Sequence, residues 1–165
     1  MADSTGSDIW RQWLSEYAGR LLLWARQQAG NESDAEDLLQ EAVVESWQRQ
    51  GDGSPPPLAL VYATIRRRAI DRARADSRRR IREETLAAAE PDWFLPDFSG
   101  GEDARAIQAV IAGLPLEQRE VLTMKIWGEL SYREIASALD IPLNTAASRY
   151  RYALEALREL LPPEP

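Results

Sequence analysis

Apolar residues recur at three- and four-residue spacing along most of the chain, and strict alternation is nowhere sustained, so the pattern predicts helices and no strands. Ile9, Trp13, Tyr17, Leu21 and Trp24 mark a helix from Asp8 to about Gln28, with its aromatics assigned to the core. Gly30 and Asn31 break it, and Ser33 with Glu36 reads as a capping box opening a helix to about Arg49. On that helix Leu39, Val43 and Trp47 share one face. Asp37, Gln40, Glu41 and Val44 share another, partly acidic and partly amide. The run GDGSPPP, residues 51–57, ends the helix, because consecutive prolines offer no amide donors. A third helix then begins near Leu58, with Leu58, Val61, Ile65 and Ala69 as its buried stripe. Residues 83–101 are acidic, hold prolines and glycines and show no period, which marks a linker. Helices over about 102–112 (Ile107, Val110, Ile111) and 116–127 follow.

The most specific signal lies between Ser131 and Leu160. Ser131 and Glu134 form a capping box that places a helix start at Tyr132, and Ile135, Ala136 and Leu139 give that short helix its apolar stripe. Asp140 tolerates a left-handed exit and Pro142 stops the helix from continuing. Asn144 is the expected cap of a second helix, with Ala146, Tyr150, Ala153, Leu157 and Leu160 buried and Thr145, Ser148, Arg149 and Tyr152 along a polar face. Helix, tight turn and second helix are the layout of a DNA-reading helix-turn-helix, although short amphipathic pairs also occur in bundles that never meet DNA. The expected fold class is therefore all-α: two small helical domains, 1–82 and 102–165, joined by an acidic linker, 83–101, the C-terminal domain carrying the helix-turn-helix.

Composition narrows the chemistry. The 165 residues include no cysteine and no histidine, which removes disulfides, thiolate metal sites and histidine acid-base catalysis, and no metal or cofactor is expected. No run approaches the ~20 apolar residues of a membrane span, and the N-terminus has no secretory pattern, so the expected location is cytoplasmic. The net charge of -7, averaged over the chain, is unsuited to DNA. The average conceals a local reversal: between Arg66 and Arg82 stand nine arginines against Asp71 and Asp76. A basic stripe inside an acidic chain is the footprint of phosphate neutralisation, whereas an isolated charge run would be read as a solvated face.

These motifs resemble, in order, those of bacterial RNA polymerase sigma factors of the compact ECF (extracytoplasmic function) group. Residues 34–41, DAEDLLQE, with Trp47 resemble the helix by which sigma factors grip the β′ coiled coil of the polymerase. Arg68-Ala69-Ile70-Asp71 with Arg72 and Arg74 resembles the promoter-melting helix. In the second half the matching positions are Leu114, Pro115, Arg119, Glu120, Val121 and Leu122; then Leu130, Ser131, Tyr132, Glu134, Ile135 and Ala136; then Ile141, Pro142, Thr145, Ser148 and Arg149. The resemblance implies a non-enzymatic promoter-specificity subunit. Its polymerase contacts would be Asp37, Gln40, Glu41 and Val44. Its minus-ten contacts would be Arg49, Gln50, Gly51 and Asp52, in a loop that pockets a flipped base, with Arg66, Arg67, Arg68, Arg72, Arg74 and Arg78 along the strand. Its minus-thirty-five contacts would be Thr145, Ser148, Arg149, Arg151 and Tyr152. Implied partners are core RNA polymerase (β′ coiled coil and β flap), promoter DNA and an anti-sigma factor.

The sequence departs from the family pattern at Arg67, where asparagine is common, at Leu60, where tryptophan is common, and at Ala147, where lysine is frequent. From Asp140 to Leu160 three arginines face three acids, so weak autonomous DNA binding is expected. The alternative is a stand-alone helix-turn-helix regulator with an N-terminal interaction domain, which would bind duplex operators without polymerase. An enzyme working from the carboxylates between Asp34 and Glu45 is the third reading, and it lacks the histidines that carboxylate metal sites in helical bundles usually employ.

Overall fold

The computed structural model describes residues 3–83 and 102–161, which leaves the expected linker beyond Glu83 outside the described residues. Every regular element there is a helix: α1 (Asp3–Gln28), α2 (Glu32–Gln50), α3 (Leu58–Glu83), α4 (Glu102–Gly113), α5 (Leu116–Ile126), α6 (Tyr132–Leu139) and α7 (Leu143–Leu160). The chain divides into two compact units, Met1–Phe94 and Leu95–Pro165.

In the first unit α1, α2 and α3 pack pairwise around Leu21, Trp24, Leu38, Val61, Tyr62 and Ile65, all essentially inaccessible. Each such side chain contributes about 1.5–3 kcal/mol relative to exposure. Trp24 settles its polar edge by donating from Nε1 to the Tyr62 carbonyl at 3.2 Å, and the two rings lie 5.7 Å apart. Ser46 and Thr64 meet by a buried hydroxyl bond between α2 and α3.

Three expectations need correction here. The cap of α2 is Asn31, not Ser33: its side-chain oxygen accepts from the Asp34 amide at 2.9 Å, so the helix begins at Glu32. The buried face of α2 is Ala35, Leu38, Ala42 and Ser46, while Trp47 is 42% exposed. Small residues let α1 and α3 approach closely, and the larger Leu39, Val43 and Trp47 flank the contact. Of the α1 aromatics named for the core, only Trp24 is fully buried; Trp13 and Tyr17 are half-buried at an edge-to-face cluster with Trp10.

In the second unit α5 and α6 pack on α7, with α4 also touching α7. The core is Ile111, Leu114, Val121, Leu122, Met124, Ile135, Leu139, Ala146 and Ala153. The capping box is present as expected, with the Glu134 amide donating to Ser131 Oγ at 3.1 Å and the Ser131 amide to Glu134 Oε2 at 2.7 Å. Asp140 adopts φ 53° and ψ 51° and closes the helix on the Ala136 and Ser137 carbonyls. Asn144 does not cap α7. That helix starts at Leu143, two residues before an Asn144 cap would place it, after Pro142, and no side chain caps it. Leu160, expected on the buried face, is 57% exposed at the helix end.

Candidate nucleic-acid interface

The basic helix α3 lies against α2, and the two exchange charges along their contact. Arg68 donates from Nε to Glu45 Oε2 at 2.6 Å and from Nη1 to Glu41 Oε2 at 2.7 Å. Arg72 reaches the same Glu41 oxygen at 2.9 Å, and Arg67 bonds Glu45 Oε1. Arg49 joins from α2 itself, four residues after Glu45, at 3.2 Å. Burial pushes the Glu45 carboxyl up, but the hydrogen bonds and charges of Arg68 and Arg67 outweigh it and hold the group below its ordinary range. The Glu45 bond likewise holds Arg68 more firmly in its charged form. Farther along α3, Arg74, Arg78 and Arg79 are exposed. Arg66 is half-buried.

Asp37, Gln40, Glu41 and Val44 stand at i, i+3, i+4 and i+7 of α2, all exposed, and so form one stripe. Glu41 is therefore a member of both sets: it sits on the exposed stripe and anchors two arginines of the basic helix.

The loop after α2 is tightly ordered from within. Gly51 (φ 78°) and Gly53 (φ 80°) take left-handed conformations that a side chain would strain. Asp52 Oδ1 accepts from the Ser54 amide at 2.9 Å, from Ser54 Oγ at 2.6 Å and from Gln50 Nε2 at 3.0 Å, and these bonds keep its carboxyl low. Gln50 Nε2 also faces Ser54 Oγ and the Pro55 carbonyl, so its amide braces the loop. Trp10 Nε1 donates to the Gly53 carbonyl at 3.0 Å from α1.

In the second unit Tyr132 and Tyr150 stack edge to face with centroids 5.8 Å apart, linking α6 to α7. Lys125 donates to the Leu130 carbonyl at 3.2 Å and lies 4.5 Å from the centre of the Tyr132 ring, bracing the turn into α6. Thr145, Ser148 and Arg149 are half-buried near the start of α7. Arg149 lies 3.6 Å from Glu117, and the Arg151 guanidinium sits 5.1 Å from the centre of the exposed Tyr152 ring.

The sequence reading missed Glu45, Ser54 and Trp10. Glu45 had a signal, since it stands four residues after Glu41 and four before Arg49. Trp10 had none, because its partner is 43 residues away. Among the described residues no group of three or more acidic side chains is arranged to hold a metal, and no helix is long and apolar enough to cross a membrane.

Residues 13–79 match the family model for sigma-70 region 2, and residues 104–157 match that for sigma-70 region 4. The chain is 30% identical over 154 residues to the ECF RNA polymerase sigma factor SigL of Mycobacterium tuberculosis, covering 91% of this chain and 87% of that protein. It is 33% identical over 133 residues to the ECF RNA polymerase sigma factor RpoE of Cereibacter sphaeroides, covering 77% and 72%. In fold it is similar to the sigma factor RpoE solved in complex with the anti-sigma factor NepR from Bartonella quintana, with a TM-score of 0.70 and 22% identity over 94% of this chain and 98% of that one. A second fold likeness is CnrH, solved with the cytosolic domain of CnrY, with a TM-score of 0.55 and 20% identity over 90% and 84%.

Proposed function

The chain belongs to the ECF RNA polymerase sigma factors, which direct core polymerase to promoters, and we propose how its residues divide that work. The segment 1–82 grips core polymerase and holds the minus-ten strand, 102–165 reads the minus-thirty-five element, and 83–101 connects them. The chain carries out no reaction of its own. Polymerase supplies the chemistry.

Asp37, Gln40, Glu41 and Val44 meet the β′ coiled coil; their exposure as one stripe on α2 is the observation that carries the assignment. A second polymerase contact, at the β flap, is assigned to the C-terminal unit. Arg66, Arg67, Arg68, Arg72, Arg74 and Arg78 follow the phosphates of the minus-ten strand. Gly51 and Asp52 shape the loop that receives a base turned out of the stack, with Gln50 bracing it and Arg49 beside it. Losing that base's stacking costs a few kcal/mol, so a preformed loop beside dense positive charge is what the step requires. Arginine suits the strand because its fork meets phosphate oxygens in pairs.

At the second unit the start of α7 has no side-chain cap, so its amides are available to a phosphate, with the short hydroxyls of Thr145 and Ser148 alongside. Arg149, Arg151 and Tyr152 extend the surface toward base edges. A partner that covers the α2 stripe would compete with polymerase, and an anti-sigma factor is the partner of that kind we assign; the RpoE and CnrH fold relatives were each solved with a second protein.

The test is reconstitution. The purified full chain is mixed with core RNA polymerase, and gel filtration and run-off transcription from a promoter library are measured. Co-elution together with initiation at a restricted promoter set is expected. Specific binding of duplex operators by the free chain, with no co-elution, would instead establish a stand-alone regulator.

A further inference from the structure

The loop after α2 has internal order but needs an external reference to fix where it points. The hydrogen bonds of Asp52, Ser54 and Gln50 run within residues 50–55, so they set the loop's shape and leave its placement on the helices open. At the far end Pro56 is buried and the Pro57 carbonyl accepts from the Leu60 and Val61 amides, which anchors the entry to α3. At the near end the Gly51 amide closes α2 on the Trp47 carbonyl. Between these anchors lies Gly53, left-handed and with no heavy atom near the position a Cβ would take. Its carbonyl is held by the Trp10 indole N–H at 3.0 Å.

Trp10 is itself well placed for this. Its ring packs edge to face with Trp13 on α1 (5.7 Å, 68°) and with Trp47 on α2 (6.4 Å, 84°). The indole is thus oriented by one ring from its own helix and one from the helix that launches the loop. An amphipathic ring with two torsions loses little entropy in such a setting, and its N–H has a single direction. Trp10 also precedes the residues that match the region 2 family model, which begin at 13.

We propose that Trp10 is a positioning residue for the base-receiving loop: by holding the Gly53 carbonyl it aims residues 51–54 at the melted strand, so that N-terminal helix α1 contributes to base selection without touching DNA. The inference rests on the assignment of the loop as the base pocket.

The experiment uses holoenzyme assembled from core RNA polymerase and the full chain, wild type or Trp10→Phe. Each is challenged with fork-junction DNA carrying a randomised single-stranded non-template overhang and a randomised upstream duplex, and the bound DNA is sequenced. Phenylalanine keeps a ring against Trp13 and Trp47 and removes the N–H. Losing one hydrogen bond corresponds to about a fivefold effect. Base enrichment at one single-stranded position is expected to fall about fivefold in W10F, with upstream duplex enrichment and co-elution with core unchanged.

A second variant, Gly53→Ala, strains the left-handed residue and is expected to lose enrichment at the same position. Its combination with W10F should lose less than the product of the two, because both act through one carbonyl. Should W10F fail to co-elute, G53A carries the decision: loss at a single overhang position supports the assignment, and uniform loss across the overhang and duplex overturns it. Selection by W10F matching wild type overturns the Trp10 assignment alone. A wild-type holoenzyme that selects no single-stranded base overturns the pocket reading and this inference with it.

Discussion

Glu45 gathers three guanidinium groups, from Arg49, Arg67 and Arg68, on one carboxylate whose side chain is 21% exposed. Such a group gains less from any one pair than the charges suggest, since burial works against its ionised form while the arginines favour it. The balance is a depressed folded-state pKa. Its contribution is therefore complete above the unfolded carboxylate value of about 4.3 and disappears as pH falls through the lower folded value. Glu45→Gln should lower the unfolding free energy by about 1 kcal/mol at neutral pH, a modest figure because Arg67 and Arg49 are half exposed. Urea titrations at pH 7 and at stepwise lower pH should show the two proteins converging in the acid range. A difference that persists once Glu45 is protonated in the folded state would mean that the carboxylate's packing, and not its charge, supports the α2 to α3 contact. Glu32 offers an internal comparison: its hydrogen bonds from Arg26 of α1, at 2.7 and 2.8 Å, lower its pKa too, with one guanidinium in place of three.

At the scale of elements, α6 is held at both ends by local chemistry: the capping box of Ser131 and Glu134, and the left-handed Asp140. Ser131→Ala removes the acceptor of the Glu134 amide and should cost about 1 kcal/mol, seen as roughly fivefold faster hydrogen exchange at that amide. Unchanged exchange would show that the α5 and α7 contacts alone set the start of α6. The same locality explains why this region was legible in the sequence, down to the Tyr132 start, because caps and turns are written within four residues. The α2 face was not. Periodicity weights large apolar residues and so selected Leu39, Val43 and Trp47, whereas the fold turned Ala35, Ala42 and Ser46 inward to admit two neighbouring helices. The Asn31 and Pro142 caps each lie two residues before the expected ones for a related reason: more than one residue within reach can open a helix, and only backbone geometry chooses between them. The stripe of Asp37, Gln40, Glu41 and Val44 could be read from spacing alone, and so could the arginine run. Their joining through Glu41 and Glu45, and the Trp10 bond to Gly53, depend on packing between helices that no local pattern encodes.

For the molecule as a whole, a chain of net charge -7 keeps its densest positive charge beside its own carboxylates. Glu41 is the hinge of this arrangement, since the oxygen that meets Arg68 and Arg72 belongs to the residue assigned to polymerase. On the assignment proposed above, polymerase binding exchanges the partner of Glu41 and frees Arg72 for the strand, while Arg68 keeps its bond to Glu45; in the free chain both remain engaged. Each partly exposed pair is worth at most about 1 kcal/mol, so the restraint is a bias of several-fold, and its strength depends on salt. Glu41→Gln should therefore raise the free chain's affinity for a labelled single-stranded oligonucleotide about fivefold and weaken its binding to core polymerase. One released arginine, Arg72, that meets a phosphate should also steepen the dependence of log affinity on log salt by about 0.7. Fluorescence anisotropy between 50 and 200 mM salt, where the screening length is about 10 Å, reads both quantities. Equal affinity and equal slope in the variant would separate the two roles of Glu41. The arginines would then be fully competent in the free chain, and the weak DNA binding expected of it would have to come from the overall negative charge instead.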